Sequence, residues 1–341
     1  MKILAGNTLT LAGTARCAVT ARKAGGICAK RRPTILVAPL HTARTAQRAV
    51  PTWLTKTPLW LLALSLSGFS ISTHAQGSLT PPGAPGATML TLSQVQPRIP
   101  VDTIHTPGNS ATEYLITTPG SYYLTTNIIG VSSENGIEIE ASDVTLDLNG
   151  FSMIAPAAAN TAILIFSGIT NTVIRNGIIS GWSSLNDDIF SEANNVTIEN
   201  MSVSGASMGI ACLGAGGVVR SCTVSLDGTY GIYIAGSGYL VYGNSCFGNN
   251  TVNEANGGAI FINASNNRVE NNFVIGSGPA GFGILINGGN GSTNNVIVRN
   301  TVQGNGANDY YVNFQQLAGP LVTNVISGII TNSNPWANFA F

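Results

Sequence analysis

The chain has 341 residues, 44% hydrophobic and only 9% charged, with 40 glycines, a composition that excludes a disordered chain and suits one or two globular domains. Its formal net charge of zero hides a split: residues 1–76 carry ten Lys or Arg and no acid, whereas residues 77–341 carry five Arg, no Lys and all 15 acids, a net of −10. An acidic body without a basic patch argues against nucleic acid as a partner, because phosphate contacts need clustered Lys or Arg.

From Leu59 to Ile71 runs an apolar stretch of 13 residues, preceded by Lys56 and followed by the small-x-small site Thr73-His74-Ala75. That is the pattern of a secretory signal, and it is shorter than the roughly 20 residues a helix needs to cross a bilayer. The reading is a leader over 1–76 with its apolar segment at 59–71, and a mature chain that starts near Gln76 and has no transmembrane segment. Residues 1–49, ahead of the signal, are expected to reflect a start assigned too early. Export is compatible with the three cysteines left in the body, Cys212, Cys222 and Cys246, which lack metal-site spacing and allow at most one disulfide.

A Pro/Gly-rich linker and a short cap are expected over 77–118, with Met89, Leu92 and Val95 on one helical face. From Gly136 one motif then recurs: a small residue, Ile-x-Ile, a polar turn, a second apolar stretch, a corner, and a third short apolar stretch. The first Ile column is Ile137, Ile163, Ile189, Ile210, Ile232, Ile260 and Ile284, with Tyr310 in the eighth place. The second lies two residues on, at Ile139, Ile165, Ser191, Cys212, Ile234, Ile262, Ile286 and Val312, so both point to one face of a strand. Corner positions are read at Leu148, Asn176, Asn200, Ser221, Asn244, Asn271, Asn300 and Asn324, spaced 21–29 residues apart. Such a unit buries its Ile columns only by coiling and stacking on the next unit. The predicted fold is therefore all-β, a parallel β-helix of about eight or more coils over 119–334, closed by a C-terminal cap at 335–341.

Asn suits the corner because it tolerates the left-handed backbone, and its amide bonds to the same amide one coil away. The residue before each corner forms a column of alternating charge, Asp147, Arg175, Glu199, Arg220, Gly243, Glu270, Arg299 and Thr323, which is read as structural.

The segments Gly231-Ile-Tyr-Ile234, Asn194-Asn-Val-Thr-Ile-Glu-Asn200 and Asn295-Val-Ile-Val-Arg-Asn300 resemble the right-handed parallel β-helix superfamily of pectate lyases, polygalacturonases and NosD-like secreted proteins. Pro119-Gly-Ser-Tyr-Tyr-Leu124 and Asp143-Val-Thr-Leu-Asp-Leu-Asn-Gly-Phe151 are similar to the first coil of secreted members. The resemblance spans about 115–330 and implies right-handed coiling; it does not carry an activity, since one fold hosts many.

In polygalacturonases the resemblance places two carboxylates before neighbouring strands for acid and base work on a glycosidic bond. Here Asp187-Asp188 precedes Ile189, but the preceding coil reads Asn160-Thr161-Ala162, and the Gly-His-Gly and Arg-Ile-Lys segments are missing. Asp187 and Asp188 are the catalytic candidates; the bland alternative is a polar loop suited to Ca²⁺, for which carboxylate oxygens are good ligands. The residue between the two Ile forms an outward column, Glu138, Leu164, Phe190, Ala211, Tyr233, Phe261, Leu285 and Tyr311. Its aromatic members Phe190, Tyr233, Phe261 and Tyr311, with Asn263 and Asn287 of an adjoining amide column, are the candidate substrate-binding residues, because flat rings and amides suit sugar rings and hydroxyls. Gly205-Ala-Ser-Met-Gly209 and Gly276-Ser-Gly-Pro-Ala-Gly281 match a nucleophile elbow and a dinucleotide loop in spacing only, since neither leads into a helix.

The expectation is a secreted or cell-envelope protein, in the periplasm, on the outer surface or extracellular, that contacts a polysaccharide or cell-surface glycan without demonstrated catalysis. The alternatives are a polysaccharide hydrolase or lyase using Asp187 and Asp188, and a structural spacer or adhesin.

Overall fold

A computed structural model describes residues 97–155, 158–182, 186–287, 291–323 and 333–341. The expected leader, signal segment and linker up to residue 96 lie outside the described residues, as does the corner expected at Asn324.

The named strands pair in parallel, and they do so coil upon coil. A nine-stranded sheet, from Thr112–Ile116 to Asn308–Val312, forms one face of the solenoid. An 18-stranded sheet forms the other two, joined because Thr170–Ser180 and Asn194–Ser204 run unbroken through the corner between them. Among the described residues there is no helix.

Both Ile columns sit where their spacing puts them. Ile137 pairs with Ile163, Ile189 with Ile210, Ile232 with Ile260 and Ile260 with Ile284, and all of these side chains are sealed from solvent. Pairing begins ahead of the expected start at 119: Thr112–Ile116 is already the first strand of the nine-stranded sheet, with Tyr114 and Ile116 opposite Ile137 and Ile139. At the other end Asn338–Ala340, expected within a cap, lies in the wall as a strand paired to Thr301–Gln303 and Leu321–Thr323.

Each full coil turns at three positions of left-handed backbone. One column is Asp143, Asn171, Asn195, Gly216, Gly238, Asn266, Asn294 and Gln315; the next is Asn149, Asn176, Asn200, Ser221, Gly243, Asn271 and Arg299; the third is Gly181, Gly205, Leu226, Gly248, Gly276 and Gly304. The second column corrects the sequence reading at three coils, where the corners are Asn149, Gly243 and Arg299 rather than Leu148, Asn244 and Asn300. Glycine takes a positive φ without steric cost, so the corner falls on Gly243 and the next residue turns inward. Asn244, Asn272, Asn300 and Asn338 thereby form a buried ladder. Asn244 N donates to Asn272 Oδ1 at 2.9 Å, Asn272 N to Asn300 Oδ1 at 3.0 Å, and Asn300 N to Asn338 Oδ1 at 3.0 Å. The two properties expected of a single Asn position, left-handed backbone and amide stacking, are divided between neighbouring positions here.

The same shift changes the charge column, which runs Asp147, Arg175, Glu199, Arg220, Tyr242, Glu270 and Val298. Its ions are paired as a structural role requires. Asp147 takes Arg98 and Arg175, both at 3.2 Å, Glu199 takes Arg220, and Glu270 takes Arg268 at 2.5 Å and Arg299 at 3.0 Å. Cys212, Cys222 and Cys246 are free and buried.

From Asn171-Asn176-Gly181 to Asn294-Arg299-Gly304 the three corners of a coil follow one another at constant spacing, and coil length varies only between a third corner and the next first one. Extra residues therefore collect along both ends of the nine-stranded sheet, which places its outer face between loops.

Candidate functional site on the nine-stranded sheet

The outward column is realised strand by strand: Glu138 pairs with Leu164, Phe190 with Ala211, Ala211 with Tyr233, Tyr233 with Phe261, Phe261 with Leu285, and Leu285 with Tyr311. Alternation along each strand turns these side chains away from the core. They do not form a uniformly exposed strip. Tyr311 is 46% exposed, Phe190 and Tyr233 are half-buried, and Phe261 is only 6% exposed.

Phe261 is covered by a ring that sequence reasoning passed over. Tyr230 lies two residues before Ile232, and its ring centroid is 5.0 Å from that of Phe261 and 5.4 Å from that of Tyr233, the latter pair stacked at 19°. Tyr233 is itself 5.4 Å from Phe261, so the three rings close on one another with Phe261 as the floor. A second group follows two coils on, where Phe282 meets Tyr311 edge-on at 5.5 Å. Tyr230 and Phe282 share one column across Gly258, and their occurrence two residues before the Ile column was the signal available in the sequence.

The amides line the end of this face. Asn263 Nδ2 donates to the Tyr233 hydroxyl at 3.4 Å, and Asn263, Asn287 and Asn313 each donate their backbone N–H to the preceding coil. The Tyr230 hydroxyl is pushed above its ordinary pKa by burial, with Tyr233 and Glu254 adding to the shift. Ala211 leaves a gap in the ridge: Phe190 and Tyr233 stand two strands apart, about 10 Å at the usual spacing.

The two catalytic candidates separate. Asp187 lies at the end of its strand, 7% exposed; burial raises its pKa to about 7 even though the Met208 N–H donates to it. Asp188 has no exposed surface and occupies an interior column otherwise filled by small residues such as Ala162, Gly209 and Gly231. A side chain so enclosed does not reach a glycosidic bond. It faces a third carboxylate that sequence reasoning missed, Asp227, also fully buried. Asp227 Oδ1 accepts from Gly205 N at 2.9 Å and Ala206 N at 3.2 Å; among the described residues its Oδ2 has no partner. Gly209 makes the room, since a Cβ there would lie 2.5 Å from Asp227 Oδ2. Burial holds both carboxyls well above the usual carboxylate range, with the charges of Asp227 and Asp187 adding to the rise at Asp188 and that of Asp187 adding to it at Asp227. Among the described residues no group of three or more His, Cys, Asp or Glu is placed to hold a metal ion.

This geometry defines a right-handed parallel β-helix repeat protein with a ring-bearing sheet face. The family model described as a right handed beta helix region matches residues 187–337. Comparison with curated proteins finds no match. Among solved structures, the chain is similar to the Dettilon tailspike protein at 13% identity and a TM-score of 0.44, covering 57% of this chain and 41% of that one. It is also similar to DFA-IIIase from Arthrobacter chlorophenolicus crystallised with DFA-III, at 13% identity and a TM-score of 0.30, covering 63% of this chain and 60% of that one. The chain thus spans less than two thirds of the length of either. Among the described residues no helix is long and apolar enough to cross a membrane.

Proposed function

We propose that this is an exported protein of the cell envelope or exterior that holds a saccharide against the outer face of its nine-stranded sheet, as a binding rather than a catalytic module. The observation that carries this reading is the three-ring cluster of Tyr230, Tyr233 and Phe261, with the Asn263 amide bonded to the Tyr233 hydroxyl and further rings at Phe282 and Tyr311. Rings at coil spacing beside amides supply stacking and hydroxyl recognition together. Export is supported by the signal pattern at 59–75 and by the charge change that follows it. The test is retention of the purified chain on a panel of neutral and acidic polysaccharides, beside Tyr233→Ala and Tyr311→Ala. Loss of retention in these two variants supports the reading. Equal retention by parent and variants sinks it, and no retention by the parent on any polymer favours the spacer or adhesin.

A second reading, polysaccharide cleavage, has one specific feature in its favour: burial pushes the Asp187 carboxyl up to about 7 and it lies three residues before Phe190, which suits it to donate a proton. Release of reducing or unsaturated ends by the parent and not by Asp187→Asn, measured with Ca²⁺ present and chelated, would make this the better account.

A further inference from the structure

The last coils carry a groove unrelated to the ring-bearing face. It has a volume of about 440 Å³ and lies on the outer side of the second face, where Arg268, Val296 and Leu317 stack as successive residues of one column. Val298 and Pro320 extend its apolar floor, and Trp336 forms a wall. The volume lies in the range of small-molecule sites, and the lining is apolar apart from one edge.

That edge is cationic in a body whose net charge is −10. Glu270 is shared by Arg268, Nε to Oε2 at 2.5 Å, and Arg299, Nη1 to Oε1 at 3.0 Å, so two cations meet one anion and a charge of +1 remains. Arg299 is engaged elsewhere too: its Nε donates to Pro335 O at 2.9 Å and its guanidinium lies 4.4 Å from the Trp336 ring centre, which fixes that indole as a wall. Arg268 lines the groove and has 37% of its side chain exposed, and Trp336 is 45% exposed. An apolar trough with one exposed guanidinium at its rim matches an anion attached to an apolar body. We propose that this groove binds a small carboxylate with an aromatic or aliphatic body, the carboxylate on Arg268 and the body between Trp336 and the Val296–Leu317 floor.

The test is calorimetric titration of the full chain with 2-naphthoate and, as the neutral counterpart, 2-naphthamide. Naphthoate is expected to saturate one site and to bind about tenfold or more tightly than the amide, with the difference shrinking as salt is added. Arg268→Met, which keeps the packed stem and removes the charge, should erase the preference; Glu270→Gln, which leaves the edge at +2, should tighten naphthoate binding; Trp336→Ala should weaken both ligands. Both Arg268 and Trp336 are partly exposed, and thermal unfolding of each variant checks that the fold is kept. The proposal is overturned if naphthoate does not saturate, if the amide binds as well, if Arg268→Met in a folded chain leaves the preference unchanged, or if Tyr233→Ala on the other sheet, rather than Trp336→Ala, removes binding.

Discussion

Replacing Asp187 with Asn should stabilise the protein at neutral pH and do little in acid. Asp187 has a pKa of about 7 in the fold against 3.8 in an unfolded chain, because burial penalises its charged form. A group whose folded pKa is raised contributes its full stability below the unfolded value and loses it as pH rises through the folded value. The window is therefore pH 4 to 7, and a rise of about three pH units corresponds to about 4 kcal/mol. Asn keeps an oxygen for the Met208 N–H and carries no charge to desolvate. It also removes one of the charges that raise Asp188, an effect of the same sign. Urea unfolding followed by circular dichroism at half-unit steps from pH 3.5 to 8 should show variant and parent together at the acid end and separating by up to about 4 kcal/mol above pH 7. A difference independent of pH, or one larger in acid, would refute the buried-carboxylate account.

Three further outcomes follow from the corners, the ladder and the interior acids. Gly243→Val should cost about 1–2 kcal/mol of unfolding free energy, since a β-branched residue is forced into a left-handed backbone, whereas Gly243→Asn should cost far less; equal midpoints would move the corner back to Asn244. Asn272→Ala should cost about 3 kcal/mol and speed amide hydrogen exchange at Asn244, because it strands the Asn244 N–H and the Val241 carbonyl inside the solenoid. Asp227→Asn should raise the unfolding midpoint more at pH 8 than at pH 4, because it removes a buried carboxyl together with the charge that raises its neighbour Asp188; the reverse order would show that the two carboxyls do not face each other.

The coiling could be read from the chain itself because it is a one-dimensional property. Ile-x-Ile at Ile232 and Ile234 shows which side is buried, and its return at Ile260 and Ile262 shows that the buried side must stack on itself. The outward column of Phe190, Tyr233, Phe261 and Tyr311 followed from the same alternation. What neighbouring coils do at a corner did not follow, because a corner needs only one residue that tolerates positive φ, and Gly243-Asn244 and Arg299-Asn300 each offer two choices. The stacked coils decide between them: the Asn that turns inward gains a ladder partner, and the other residue takes the bend. Exposure was likewise beyond local pattern. Asp188 and Phe190 are two residues apart, yet the carboxyl is sealed while the ring stays half-buried, and Asp227 comes to Asp188 from another coil through the space left by Gly209. Periodicity determined which side of each strand faces in, because backbone alternation is local; only the tertiary structure decided which polar groups meet inside and which rings remain accessible, because those depend on side chains brought together by closing the coil.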